Sequence, residues 1–72
     1  MNKFSQRIKE LRISKKIKQK EIAEYFGMSL FAYQRYEYGM REPSFDTLIK
    51  ICEYFNVSSD YILGFSDVKE RR

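Results

Sequence analysis

Histidine is absent from these 72 residues, and cysteine occurs once, at Cys52. A zinc finger therefore has no ligand set and no internal disulfide can form; no metal and no cofactor is expected. No nucleophile stands beside a base, and no glycine-rich loop offers itself to a phosphate, so an enzyme is not expected either. No apolar run approaches the roughly 20 residues of a membrane-spanning helix. The opening MNKFSQRIKELR alternates charge with apolar residues, unlike a signal peptide. These absences make the cytoplasm the expected compartment. A chain this short is one domain with a modest core, which calls for well-packed helices or a partner.

What is present is charge, unevenly placed. From Met1 to Lys20 eight Lys or Arg residues face Glu10 alone, a net of +7. From Glu21 to Ser66 three basic residues meet seven acidic ones, a net of −4, and Asp67 to Arg72 adds +1. A basic end suits a polyanion such as nucleic acid, although a solvated helix face would carry the same residues.

Periodicity divides the chain into five helices. Phe4, Ile8 and Leu11, at i, i+4 and i+7, give an amphipathic helix from about Asn2 to Ser14, with Lys3, Arg7, Lys9 and Glu10 toward water. Arg12 lies at the edge of that stripe, able to reach inward. Ile17 tucks into the core from the connection that follows. A second helix runs from about Gln19 to Phe26, with Ile22, Ala23 and Phe26 as its stripe and Gly27 as its stop. Its start is poorly capped, because Lys18 stands where Ser or Thr would accept a backbone N–H.

Ser29 caps a third helix, about Leu30 to Tyr38. At about 100° per residue, Tyr33, Tyr36 and Glu37 fall on one side, and Phe31, Gln34, Arg35 and Tyr38 on the other. Gly39 and Pro43 mark a loop. Ser44 then caps a fourth helix whose Leu48, Ile51, Cys52 and Phe55 form a complete core face, and Asn56 suits a left-handed cap. A short fifth helix ends at Gly64. The expected architecture is an all-α, compact five-helix globule over residues 1–66, followed by a flexible basic tail over 67–72.

This order of signals resembles the Xre-type helix-turn-helix family, the bacterial and phage regulators related to Cro and the lambda-type repressors. The matching pieces are RIKELR at Arg7 to Arg12, QKEIAEYFGMS at Gln19 to Ser29, YEYG at Tyr36 to Gly39, REPS at Arg41 to Ser44 and NVSSDYILG at Asn56 to Gly64. The resemblance implies a lambda repressor-like DNA-binding domain, its third helix entering the major groove and its second lying across the backbone. Leu30, Phe31, Gln34 and Arg35 then occupy base-facing positions, Arg35 suiting guanine. Leu30 and Phe31 depart from the usual polar residues. They suit a thymine methyl, a protein-binding patch, or packing over the core.

By the same resemblance Lys18, Gln19, Tyr38 and Arg41 face phosphates, and Arg12 and Glu37 pair across helices 1 and 3. Cys52 reads as packing. The implied function is a sequence-specific regulator of transcription, most simply a repressor, bound to double-stranded DNA as a homodimer. Tyr54, Tyr61 and Phe65 are candidates for the dimer surface or for core. The alternative on the same fold is a protein-interaction module of antitoxin or anti-repressor kind, with Leu30 and Phe31 as its contact.

Overall fold

A computed structural model describes residues 3–71. Five α-helices follow in order: α1 Lys3–Ser14, α2 Gln19–Tyr25, α3 Leu30–Glu37, α4 Phe45–Phe55 and α5 Ser59–Leu63. The expected start of the first helix at Asn2 lies outside the described residues, as do Met1 and Arg72 of the expected domain and tail. Three serines cap α3, α4 and α5 alike, each side-chain oxygen accepting a backbone N–H three residues on: Ser29 from Ala32, Ser44 from Thr47 and Ser58 from Tyr61. Helix α2 lacks such a cap. Instead the Glu21 carboxylate reaches back to accept the Lys18 backbone N–H at 3.4 Å, at the limit of a hydrogen bond.

The apolar stripes meet in one core. Ile8, Ile22, Tyr33, Ile51 and Ile62, one from each helix, are fully buried, with Phe4, Leu11, Tyr36, Phe55 and Val57 around them. Removing each such aliphatic side chain from water contributes about 1.5–3 kcal/mol. Ile17 and Phe26 pack against this core from its edge. Helix α3 rests on α1 and α2, and α5 on α1 and α4. Helix α1 is thus the shared support for α3 and α5.

Left-handed backbone positions hold the turns. Gly27, at φ +69°, takes the left-handed conformation that ends α2 and aims the chain into α3. Gly64, at φ +90°, ends α5 so close to α1 that an added Cβ would lie 2.5 Å from the Lys3 Cβ. A side chain there meets both backbone strain and a clash. Asn56 caps α4 in the left-handed region. Lys16, at φ 58°, does the same for α1, where glycine is the usual choice.

One sequence expectation is corrected. Arg7, placed toward water, is buried, because the chain after α5 folds back over it: its Nη1 donates to the carbonyl oxygens of Tyr61 and Ser66, and its Nη2 to Asp67 Oδ1 at 2.7 Å. The tail is correspondingly not free from residue 67 on. The Ser58 backbone N–H donates to the Lys69 carbonyl at 2.8 Å, and the Ser58 hydroxyl to the Val68 carbonyl at 3.1 Å. These bonds make residues 66–69 a strap across α1 and the head of α5.

Candidate nucleic-acid interface

The surface of interest begins with a buried carboxylate. Glu37, in the last turn of α3, is 1 % exposed and accepts every hydrogen bond that surrounds it. Arg12 of α1 donates through Nε to Oε2 at 2.5 Å and through Nη2 to Oε1 at 3.2 Å, a two-point grip. The Tyr33 hydroxyl donates to Oε2, and Gln19 of α2 donates through Nε2 to Oε1 at 3.0 Å. One carboxylate therefore ties α1, α2 and α3 together. Arg12 also donates to the Ile17 carbonyl at 2.8 Å, fixing the connection between α1 and α2.

Burial alone would push the Glu37 carboxyl up, but the hydrogen bonds from Arg12, Tyr33 and Gln19 outweigh it and hold the group below the ordinary carboxylate range. Burial, with the bond to Glu37, pushes the Tyr33 phenol up, so it stays a donor. The hydrogen bond to Glu37 raises Arg12 in turn. Among the described residues no buried side-chain nitrogen or oxygen lacks a partner. A buried charge is tolerable only with such satisfaction.

From this anchor α3 presents its other face. Phe31 is 70 % exposed, while Tyr38 and Leu30 are also open to solvent. Folding back over the core is thus excluded for Phe31, one of the three readings its sequence position allowed. Arg35 and Gln34 are half-buried. The Arg35 guanidinium carbon lies 5.9 Å from the centre of the Phe31 ring one turn earlier, within cation–π range. Arg41 is exposed in the loop after α3, its guanidinium carbon 5.7 Å from the Tyr36 ring centre. Lys18 is exposed at the head of α2.

Gln19 opens α2, as expected. Its side chain is engaged by the protein, donating to Glu37 and accepting from Gln34 Nε2 at 3.1 Å. Its backbone N–H, at the free end of α2, is the group left to meet an anion. Sequence reasoning did not anticipate this amide bridge, because glutamine in an exposed turn suits solvent equally well. Its only signal was the position of Gln34, three residues before Glu37 on the same helix.

The three residues offered as dimer surface or core divide between the two. Tyr61 is buried, its ring centre 4.2 Å from the Arg7 guanidinium carbon, because the strap covers it. Tyr54 is half-buried in an aromatic cluster with Tyr25, Phe26 and Phe55, the nearest ring centres being 4.5 Å apart at Tyr25. Phe65 alone stands out, 82 % exposed. Cys52 is buried on α4, and burial pushes its thiol up, which suits packing. No helix among the described residues is long and apolar enough to cross a membrane.

An all-α domain of five helices, with α2 and α3 set across a glycine turn and locked to α1 through Glu37, defines the helix-turn-helix class with the lambda repressor-like fold. The chain belongs to the helix-turn-helix family, whose model matches residues 8–62. It is 43% identical over 60 residues to the uncharacterized HTH-type transcriptional regulator YqaE of Bacillus subtilis (strain 168), covering 83% of this chain and 52% of that protein. To the HTH-type transcriptional regulator ImmR of the same organism it is 38% identical over 68 residues, 94% of this chain and 54% of the relative. It is also similar to the cryptic phage CTXphi transcriptional repressor RstR of Vibrio cholerae, at 32% over 54 residues, 75% of this chain and 49% of that protein. The chain spans about half the length of the curated relatives it matches.

Proposed function

We propose that this chain is a sequence-specific, double-stranded DNA-binding regulator of transcription, most simply a repressor, working in the cytoplasm as a homodimer. The observation that carries the proposal is the outward row of α3, with Leu30, Phe31, Gln34 and Arg35 presented on a helix held rigid by Glu37. Such a row, placed in a major groove, reads base edges: Arg35 offers two donors to guanine, and Phe31 an apolar face to a thymine methyl. Around it Lys18, the head of α2 at Gln19, Tyr38 and Arg41 approach the sugar-phosphate backbone. The basic excess before Lys20 supplies the attraction that brings a polyanion to this face. The names of the relatives support regulation of transcription, and RstR is named a repressor.

A reading helix of eight residues covers only a few base pairs, so two copies on a two-fold site are needed for useful specificity. Phe65 belongs to the surface available for that pairing.

Selection from a randomised duplex pool tests the proposal. A two-fold consensus is expected, with affinity falling steeply as salt rises. No consensus, together with salt-insensitive capture of a protein partner through Phe31 and Leu30, would overturn it in favour of a protein-interaction module.

A further inference from the structure

The hydrogen bonds behind α3 have a direction, and the direction reaches the surface. The Glu37 carboxylate is ionised and has no proton to give, so whatever meets it must donate. Gln19 is therefore obliged to turn its Nε2 toward Glu37 Oε1, 3.0 Å away. That leaves Gln19 Oε1 facing α3, an acceptor only. Gln34 is obliged in turn to direct its Nε2 at that oxygen, 3.1 Å away. The alternative rotamer of either amide would set two donors or two acceptors face to face. Among the described residues nothing else hydrogen-bonds the Gln34 amide. Its Oε1 and its second N–H remain available, in a fixed order.

We infer that Gln34 reads an adenine, and that Gln19 is the positioning residue that sets the polarity of this recognition. The inference rests on the proposal that α3 enters the major groove. There adenine alone presents a donor, N6–H, beside an acceptor, N7, matching one oxygen and one remaining N–H. Guanine offers two acceptors, of which the fixed oxygen would oppose one. Cytosine and thymine lack the pair. A solvent-facing glutamine samples both orientations of its amide; here the choice is made inside the protein before any base arrives. The side chain of Gln19 thus acts on base choice, and not on the phosphate backbone.

The experiment is selection from a randomised duplex pool with the wild type, Gln34→Ala, Gln34→Glu and Gln19→Leu, each verified as helical by circular dichroism. The wild type is expected to recover one adenine per half-site that Gln34→Ala relaxes by about tenfold. Gln19→Leu is expected to relax the same position while the other positions of the consensus keep their preference, because the remaining base contacts are untouched. Gln34→Glu, with two acceptors, is expected to move the preference from adenine toward the cytosine N4 donor. With the wild-type protein alone, replacing that adenine by 7-deazaadenine, which lacks the N7 acceptor, is expected to weaken binding about tenfold.

A wild-type consensus whose adenine is indifferent to Gln34→Ala or to 7-deazaadenine overturns the assignment of Gln34. Equal weakening of all sequences by Gln19→Leu, with the adenine retained, overturns the positioning role. Both results leave the regulator proposal standing, whereas a wild type without any consensus removes that proposal and this inference together. Should Gln19→Leu fail to fold, Gln34→Glu decides the polarity: an unchanged adenine preference overturns it.

Discussion

Two arginines on α1, five residues apart, hold opposite ends of the molecule by different means. At about 100° per residue they stand about 140° apart, one on each flank of the stripe made by Phe4, Ile8 and Leu11. Arg12 turns to the reading helix and meets a carboxylate buried completely in the protein. Arg7 turns to the strap and meets two backbone carbonyls, with a carboxylate, Asp67, that is 98 % exposed. The first arrangement is a charge pair in a dry setting; the second is a cation capping the loose ends of α5 and the strap, with an ion pair added at the rim. Position on a stripe's edge allowed both side chains to turn inward. The partner decides what each is worth.

The comparison breaks most visibly at Arg12. Arg12→Met leaves Glu37 buried without its counter-charge, and urea unfolding at pH 7 should show a loss of about 3–5 kcal/mol. A loss under about 1 kcal/mol would mean that Tyr33 and Gln19 suffice to satisfy the carboxylate.

Acid should act on the same knot more gently. The Glu37 carboxyl sits below its ordinary value of 4.5 in the folded protein, so the unfolded chain takes up the proton first. Its contribution is present above that ordinary value and is lost as pH falls through the folded one. Thermal melts across the acid range should show this decline in the wild type and a flatter profile in Glu37→Gln. The Tyr33 phenol, raised above 10.0, has the opposite sign: its contribution holds below that value and fades as pH rises beyond it.

At the other arginine the effect should be smaller and local. Arg7→Met removes charged hydrogen bonds to the Tyr61 and Ser66 carbonyls, at a cost of about 1.5–3 kcal/mol. Amide hydrogen exchange should quicken at the strap amides that the fold protects while α3 keeps its protection relative to global unfolding. Loss of protection in α3 equal to that in the strap would show that the two ends are one cooperative unit. Smallest of all, Asp67→Asn should leave the melting temperature unchanged at moderate salt, since its carboxylate is open to water.

Much of this was legible in the sequence because it is local. The stripes at i, i+3, i+4 and i+7 located the helices, the serines at 29 and 44 the starts of two of them, and Gly27 and Gly64 their turns, since each signal acts within one or two turns of backbone. The inward position of Glu37 followed from its phase with Tyr33 and Tyr36. Other features had no local trace. The bonds that bury Arg7 join residues 54 to 60 positions apart, and no periodicity carries information over that span. The strap could not be told from a frayed end for the same reason. Tyr61 shows a third kind of limit: it is amphipathic, and only the folded-back chain and the Arg7 cation determine that it lies inside. The bridge from Glu37 through Gln19 to Gln34 was hidden because an amide is equally at home in water.

The grip of Arg7 on residues 66 and 67 also has a mechanical meaning. A tension applied at Lys69 would be borne first by the Ser58 bonds to residues 68 and 69 and then by the Arg7 guanidinium, which passes the load into α1. The peptide chain back through α5 and α4 toward α3 is the longer branch of this circuit. Force arriving from that end would meet a brace set some distance from the helix that faces outward, so the strap could yield while the geometry of α3 held.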